Sequence, residues 1–262
     1  MLEVKNLTKI YDDGTVALRD VSFTVEEGEF LIIIGLSGSG KSTLLRCINR
    51  LIEPTEGQII WKGQDITAAD GGELRKIRRK IGMVFQHFNL VRRSTVITNV
   101  LGGRLGYVSQ WPSLLHRFPK KDRKKAMDAL ERLGIEDQAH KRADELSGGQ
   151  QQRVGIARAL MQDPEMILAD EPVASLDPVL AHSILDHLEM LNQEEDMTIL
   201  CSLHYLDLIQ EYASRVIGLR AGRIVYRGSR EQIRAMSDDE FKEIYGEEAV
   251  RVSAAQAPGE RS

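Results

Sequence analysis

The stretch that decides the fold is residues 35 to 42, which read Gly35-Leu36-Ser37-Gly38-Ser39-Gly40-Lys41-Ser42. The apolar run Phe30 to Ile34 precedes it, and apolar residues at three- and four-residue spacing follow it from Lys41 to Leu51. A G-x-x-x-x-G-K-S loop between a strand and a helix is the pattern of a phosphate-binding loop. Its glycines permit backbone conformations that a Cβ atom would obstruct, so consecutive N–H groups can surround phosphate oxygens. This stretch, called the phosphate loop below, predicts nucleotide binding.

Two side chains of the phosphate loop have chemical tasks. Lys41 can reach the β- and γ-phosphates of a nucleotide, and the hydroxyl of Ser42 can ligate Mg²⁺. The helix that starts here adds unpaired N–H groups and a dipole that favour an anion. An ordinary glycine-rich turn is the alternative, but the spacing and both flanks argue against it. The predicted nucleotide contacts are Gly35, Leu36, Ser37, Gly38, Ser39, Gly40, Lys41, Ser42 and Thr43.

The composition limits the class of protein. The chain has 262 residues, of which 42% are hydrophobic and 28% charged, and its formal net charge is −4. These values are ordinary for a globular protein, and the negative net charge argues against nucleic acid as the main partner. Cys47 and Cys201 fall in predicted core elements, so we expect two buried thiols rather than a disulfide or a metal site.

Neither a targeting segment nor a membrane-spanning segment is expected. The N-terminus, Met1 to Lys5, lacks the apolar region of a signal peptide, and no apolar run approaches the ~20 residues that span a bilayer. Two reduced cysteines are typical of a protein in a reducing compartment. The sequence therefore predicts a cytoplasmic chain that crosses no membrane.

Strand and helix patterns predict one domain over residues 1–249. Alternating residues between 2 and 34 indicate β structure, which we expect to form an antiparallel flank. Further along, apolar strands alternate with helices, which predicts an α/β core with a mostly parallel sheet. Residues 87–158 have helical spacing and few β-branched side chains, which indicates a helical subdomain inserted into a phosphate-loop NTPase core. Residues 250–262 have the composition of a disordered tail.

A second motif follows the short apolar strand Met166 to Ala169. Asp170 ends this strand, and a carboxylate at that place can hold the Mg²⁺ shell beside the phosphates. Glu171 comes directly after it and points elsewhere, so it can polarise the water that attacks the γ-phosphorus. A surface Asp-Glu pair is the alternative, but four apolar residues before it and Pro172 after it argue against an exposed site.

Two features have two interpretations each. Tyr11 is equally compatible with a ring that stacks on adenine and with an ordinary strand tyrosine. Residues 116–125, His-Arg-Phe-Pro-Lys-Lys-Asp-Arg-Lys-Lys, are strongly basic. A solvated helix face is the simpler interpretation of this stretch, and contact with an anionic membrane surface is the functional one.

The stretch Leu146-Ser147-Gly148-Gly149-Gln150 narrows the class further. By itself it predicts a helix N-terminus with Ser147 as the cap. With this string, the sequence resembles the ATP-binding-cassette (ABC) ATPases, whose signature it is. The resemblance covers nearly the whole chain, through six ordered motifs: the phosphate loop, Gln86, the signature with Gln150-Gln151-Gln152-Arg153, Asp170-Glu171, Ser175-Leu176-Asp177, and His204.

The resemblance implies a head-to-tail dimer. Each ATP is then expected between the phosphate loop of one subunit and Ser147, Gly148, Gly149 and Gln150 of the other. Tyr11 is implied to stack on adenine, Gln86 to sense Mg²⁺ and the attacking water, and His204 to contact the γ-phosphate. The implied magnesium ligands are Ser42, Gln86 and Asp170, and the implied catalytic residues are Glu171, His204 and Gln86.

Three stretches resemble one branch of the family, the ATPase subunits of phosphonate importers: residues 86–93, 99–106 and 169–178. Val173-Ala174-Ser175 is typical of that branch, whereas Tyr205 replaces the glutamine expected after the histidine. The resemblance implies an import ATPase on the cytoplasmic face of the membrane, docked on a separate permease near residues 86–105. Indirectly, it also implies a substrate-binding protein.

Other functions remain as alternatives. The chain could energise uptake of another polar solute, such as an amino acid. A non-transport cassette acting on ribosomes or DNA is disfavoured because one cassette is present and no long coiled-coil insertion separates the motifs. A phosphate-loop kinase would explain residues 35–42 but not the signature.

Overall fold

The computed structural model describes residues 1–107 and 118–246. The predicted tail, residues 250–262, lies outside this range, as does the start of the basic stretch. The strands are β1 Leu2–Ile10, β2 Val16–Val25, β3 Phe30–Ile34, β4 Glu56–Trp61, β5 Gln64–Asp65, β6 Ile81–Val84, β7 Met166–Ala169, β8 Thr198–Ser202, β9 Arg215–Arg220 and β10 Arg223–Ser229. The helices are α1 Lys41–Ile48, α2 Gly71–Lys80, α3 Val96–Leu101, α4 Lys120–Arg132, α5 Gly148–Leu160, α6 Pro178–Glu195, α7 Leu206–Tyr212, α8 Arg230–Arg234 and α9 Asp238–Tyr245.

These strands form two sheets. The first is antiparallel, in the order β2-β1-β4-β5, and the second has the order β10-β9-β3-β8-β7-β6. In the second sheet β3 and β6 to β9 run parallel, and only the β9–β10 hairpin is antiparallel. The α/β fold with a mostly parallel sheet and an antiparallel flank is therefore confirmed.

Strand β3 lies in the middle of the second sheet, between β8 and β9. All five of its residues are buried, which explains its unbroken apolar sequence, because a parallel strand is covered on both faces. Phe30, Ile32 and Ile34 pack into one hydrophobic core, and Leu31 and Ile33 pack into the other. Both cores therefore converge on the strand that leads into the phosphate loop.

Helix α1 ends at Ile48, three residues before the predicted end at Leu51. Arg50 adopts a left-handed conformation with φ 49°. Its guanidinium Nη1 donates to the carbonyl oxygens of Ile66 and Ala69, at 2.9 and 2.7 Å. The apolar periodicity was a poor guide here because a polar side chain anchored elsewhere turns the backbone out of the helix.

Residues 87–158 contain α3, α4 and most of α5, together with short 3₁₀ turns. The bounds of the helical subdomain stay a prediction. Ala126, Ala129 and Leu130 of α4 are buried against α3 and α5. Ion pairs tie α4 to the sheet-bearing core, since Lys125 contacts Asp163 and Arg132 contacts Glu195.

The two cysteines, Cys47 and Cys201, are free and buried, as predicted. Over the described residues, no helix combines the length and apolar character needed to cross a membrane.

Candidate functional site

Four of the predicted motifs lie at one edge of the parallel sheet. The phosphate loop follows β3, Gln86 follows β6, Asp170 follows β7 and His204 follows β8. The register aligns these strand ends, with Val84 opposite Ala169 and Ile33 opposite Ser202. The carboxyl ends of parallel strands form the usual ligand crevice of such sheets.

The phosphate loop has the backbone that its glycines predict. Gly35, Gly38 and Gly40 have φ values of 145°, 77° and 110°. A Cβ on Gly35 would lie 2.2 Å from the carbonyl oxygen of Leu219, and one on Gly40 would lie 2.5 Å from that of Ala17. Gly38 faces open space. The outer two glycines therefore let the loop lie directly on neighbouring strands, and the middle one permits the turn.

Lys41 is the first residue of α1 and is only 4% exposed. Its Nζ donates to the carbonyl oxygens of Gly35 and Leu36, at 2.8 and 3.0 Å. The same nitrogen lies 3.2 Å from Oε1 of Glu171. The ammonium group is thus held across the phosphate loop, where it can contact phosphate oxygens, beside the predicted general base.

Asp170 is fully buried and ionically paired. Its Oδ2 lies 3.0 Å from Nη2 of Arg46, and its Oδ1 lies 3.5 Å from Oγ of Ser202. Arg46 stands one helical turn after Ser42 on α1, so this contact brings the carboxylate to the helix face that carries the Ser42 hydroxyl. Carboxylate, hydroxyl and the Gln86 amide supply oxygen ligands of the kind that Mg²⁺ prefers, and the set therefore fits this ion.

Glu171 diverges from Asp170, as the sequence predicts. It has a left-handed backbone, with φ 45°, and its N–H donates to Oγ of Ser202 at 2.8 Å. Its side chain, 18% exposed, pairs with Lys41 rather than with Arg46. The two adjacent carboxylates are therefore separated into different environments.

His204 and Gln86 are half-buried, and the charge of Glu171 acts on His204. Burial lowers the pKa of His204, and the Lys41 charge lowers it further, against the opposing effect of Glu171. The ring centroids of His204 and Tyr205 are 4.1 Å apart. His204 is thus a neutral imidazole near neutral pH, held against an aromatic neighbour.

Tyr11 lies in the turn after β1 rather than in a strand. Its hydroxyl is 3.2 Å from Oγ1 of Thr43, and Nζ of Lys9 lies 5.2 Å from the ring centroid. The aromatic ring therefore stands at the phosphate-loop helix, in a place compatible with the predicted adenine contact.

The signature forms the start of α5. Ser147 is the N-cap, and its hydroxyl accepts from the Gln150 N–H at 3.4 Å while Oε1 of Gln150 accepts from the Ser147 N–H at 3.0 Å. Gly149 is closely packed, since a Cβ there would lie 3.0 Å from Leu180. Within the described residues, no hydrogen bond or ion pair joins this segment to the phosphate loop. The structure thus brings four motifs together and leaves the signature outside that group.

Sequence reasoning missed two residues of the site, Ser202 and Arg46. Ser202 is fully buried at the end of β8 and bridges the backbone of Glu171 and the side chain of Asp170. A serine that ends an apolar strand beside the Asp170 strand was the available signal. Arg46 had none, because its contact with Asp170 depends on how α1 packs.

Comparisons with known proteins identify the class. The family model for ABC transporters matches residues 18–174. The dimeric ATP-binding cassette MJ0796, in a post-hydrolysis state bound to ADP and Pi, superposes with a TM-score of 0.77 at 38% identity, covering 88% of this chain and 99% of that chain. The ADP conformation of the cassette MJ1267 gives a TM-score of 0.81 at 32% identity, covering 93% and 97%. The chain belongs to the ABC transporter family, as an ATP-hydrolysing cassette.

More similar relatives share one function. Phosphonates import ATP-binding proteins named PhnC, from Staphylococcus aureus strains USA300 and N315, are each 55% identical over 245 residues, 94% of this chain and 94% of theirs. The similarity therefore extends over almost the full length of both chains.

Proposed function

We propose that this chain is the ATPase subunit of an importer that takes up a phosphonate or a related phosphorus oxyanion. The observation that carries the proposal is the 55% identity, over 94% of the chain, to relatives named as phosphonate import ATP-binding proteins. Three stretches resemble that branch in amino-acid sequence and support the proposal: residues 86–93, 99–106 and 169–178.

In this proposal ATP binds along the sheet edge. Tyr11 stacks on adenine, and residues Gly35 to Thr43 surround the phosphates with backbone N–H groups. Lys41 turns from the carbonyl oxygens of Gly35 and Leu36 toward the β- and γ-phosphates. The three N–H groups of the ammonium can serve the phosphates and Glu171 together.

Ser42, Gln86 and Asp170 hold Mg²⁺ in the proposed site. The ion, when bound, neutralises charge that develops on the phosphate oxygens. Arg46 keeps Asp170 oriented at 3.0 Å, and Ser202 fixes the turn between Asp170 and Glu171. The carboxylate of Glu171 accepts the proton of the attacking water, while His204 donates to the γ-phosphate as a neutral imidazole.

A second subunit completes each site. Ser147, Gly148, Gly149 and Gln150 present a helix N-terminus, which attracts an anion, yet they lie outside the group at the sheet edge. We infer a head-to-tail homodimer in which this N-terminus contacts the γ-phosphate bound by the partner. The dimeric state of the related cassette MJ0796 supports this inference.

The permease contact lies within residues 86–105. Val91 and Leu105 are 64% and 55% exposed, and Arg92 and Arg93 are exposed beside Val91. Phe88 and Leu90, which belong to the same stretch, are half-buried, and Leu90 packs against the core. A smaller apolar surface with a basic rim is therefore proposed as the docking site. In this proposal the chain lies on the cytoplasmic face of the membrane, and a substrate-binding protein delivers the solute.

A growth experiment tests the substrate. A strain that lacks this gene should not grow on a phosphonate as sole phosphorus source, and the wild-type gene should restore growth. Lys41→Ala should not restore it, because nucleotide binding is lost. Undiminished phosphonate uptake in the deletion strain, together with a defect for an amino acid, would move the proposal to another polar solute. Tyr205, which departs from the branch pattern, is the observation that keeps this second function in view.

A further inference from the structure

The loop after Gln86 is held by a side chain from the far end of the signature helix α5. Arg158 lies in the last turn of that helix. Its Nη2 donates to the carbonyl oxygen of Phe88 at 2.9 Å, and its Nη1 donates to that of Asn89 at 2.5 Å. One guanidinium group therefore donates hydrogen bonds to two consecutive peptide units.

Both of those residues have left-handed backbones. Phe88 has φ 54° and Asn89 has φ 48°. Asparagine tolerates this region, but a residue with a bulky side chain is rarely found there. Two successive residues in such a conformation persist only where neighbouring groups hold them. The fork of donors on Arg158 supplies that hold at the point where it is needed.

Arg158 has no ion-pair partner among residues 1–107 and 118–246. Burial alone lowers the pKa of its guanidinium group. A half-buried cation whose hydrogen bonds go to backbone carbonyls fixes the position of that backbone. The last turn of α5 also packs closely against Gly103, near the other end of residues 86–105. A Cβ on Gly103 would lie 2.1 Å from the Arg158 carbonyl oxygen.

We propose that Arg158 is a positioning residue that joins the loop of Gln86 to α5, so that the loop and the signature helix move as one body. A shift of Gln86 at the nucleotide of its own subunit then displaces Ser147, which faces the nucleotide bound by the partner. The inference rests on the proposed role of Gln86. It assigns a task to a residue outside the predicted nucleotide and metal contacts.

Hydrogen exchange on the full-length chain tests directly whether Arg158 stabilises the loop after Gln86. Arg158→Met removes both donors, and Arg158→Lys keeps the charge without the fork. Arg153→Met is the matched control, because Arg153 is on the same helix but donates to Ser183 Oγ at 2.9 Å, away from the loop. Amides 88–91 should exchange about tenfold faster or more in Arg158→Met, less so in Arg158→Lys, and at the wild-type rate in Arg153→Met. Unchanged exchange in Arg158→Met would overturn the proposal, as would equal acceleration by Arg153→Met.

A double-mutant cycle tests the connection to Gln86. Arg158→Met should lower kcat by about tenfold with a smaller change in KM for ATP, and should have no further effect in Gln86→Ala. Full additivity of the two losses would overturn the proposal, because Arg158 would then act independently of Gln86. Wild-type turnover in Gln86→Ala alone would instead remove Gln86 from the proposed mechanism, and the exchange experiment would still decide whether Arg158 holds the loop.

Discussion

The two ends of the proposed ATP site contain opposite kinds of polar groups. At the sheet edge, Lys41 pairs with Glu171 at 3.2 Å and Arg46 pairs with Asp170 at 3.0 Å. At the start of α5 the polar groups are uncharged, and the Ser147 hydroxyl accepts from the Gln150 N–H of its own helix. Four formal charges thus stand at one end, and backbone dipoles stand at the other. In the proposed mechanism, the first end therefore holds the nucleotide and its metal ion within one subunit, whereas the second end contacts the γ-phosphate bound by the partner.

The largest effect should come from Glu171→Gln. The amide cannot accept the proton of the attacking water, so ATP turnover should fall about 100-fold or more. Binding of MgATP should survive, because Lys41 and the phosphate loop are intact. Steady-state hydrolysis and equilibrium nucleotide binding measure the two effects separately. Lys41→Ala is the contrasting variant and should weaken binding itself, and a Glu171→Gln enzyme with wild-type turnover would remove Glu171 from the mechanism.

The dependence of the second end on a partner is tested next, in the Glu171→Gln background. Light scattering should detect an ATP-dependent dimer, and addition of Ser147→Arg should abolish it, because the long side chain fills the anion site, removes the cap and places a cation at the positive end of the helix dipole. Ser229→Arg is the matched control, since Ser229 caps α8 with the same arrangement of a serine and a glutamine three residues later. If the Ser147→Arg variant dimerises as readily as its parent, the head-to-tail dimer is wrong.

A smaller effect should appear in the pH dependence of stability. The pKa of His204 is lowered from 6.5 by folding, so the unfolded chain binds its proton more readily than the native one. The free energy of unfolding should therefore gain from His204 as pH rises from below its native pKa to about 6.5, and lose as pH falls through that window. Denaturant unfolding of wild type and His204→Gln checks this. Their difference in stability should move against the wild type on acidification, and a difference that is constant with pH would contradict the burial of His204.

The smallest expected effect concerns the packing beneath the charged end. Burial raises the pKa of the Cys47 thiol on α1 to about 12. A buried, protonated thiol is a poor nucleophile, so a thiol reagent near pH 8 should leave Cys47 and Cys201 unmodified in the native chain and modify both after unfolding. Mass spectrometry of the labelled protein gives the result. Rapid labelling of native Cys47 would mean that α1 opens far more readily than its packing implies.

The sequence predicts Lys41, Asp170 and Glu171 at the sheet edge, but it predicts few of the contacts that hold them in place. Buried parallel strands are recognised easily, because Phe30 to Ile34 and Met166 to Ala169 are apolar runs that end in polar residues. The contact of Arg46 with Asp170 depends on helix packing, and the early end of α1 depends on where the Arg50 side chain finds carbonyl oxygens. Neither contact produces a periodic pattern in the amino-acid sequence. The half-buried state of Phe88 has the same origin, since its ring lies against Gly148, where a Cβ would be 3.8 Å from the ring, and this tertiary contact decides its exposure.

The strand order has a consequence for how the chain is made. Strand β3 is wholly apolar, yet its partners are β8 and β9, which are completed only at Ser202 and Arg220. At typical translation rates, Phe30 to Ile34 leaves the ribosome about 10 to 40 seconds before its second neighbour is complete. During that time it has the character of a segment that aggregates when exposed. We expect a newly made cassette to fold better when its central strand is covered early, and slowing synthesis after β3 should therefore lower the yield of folded protein.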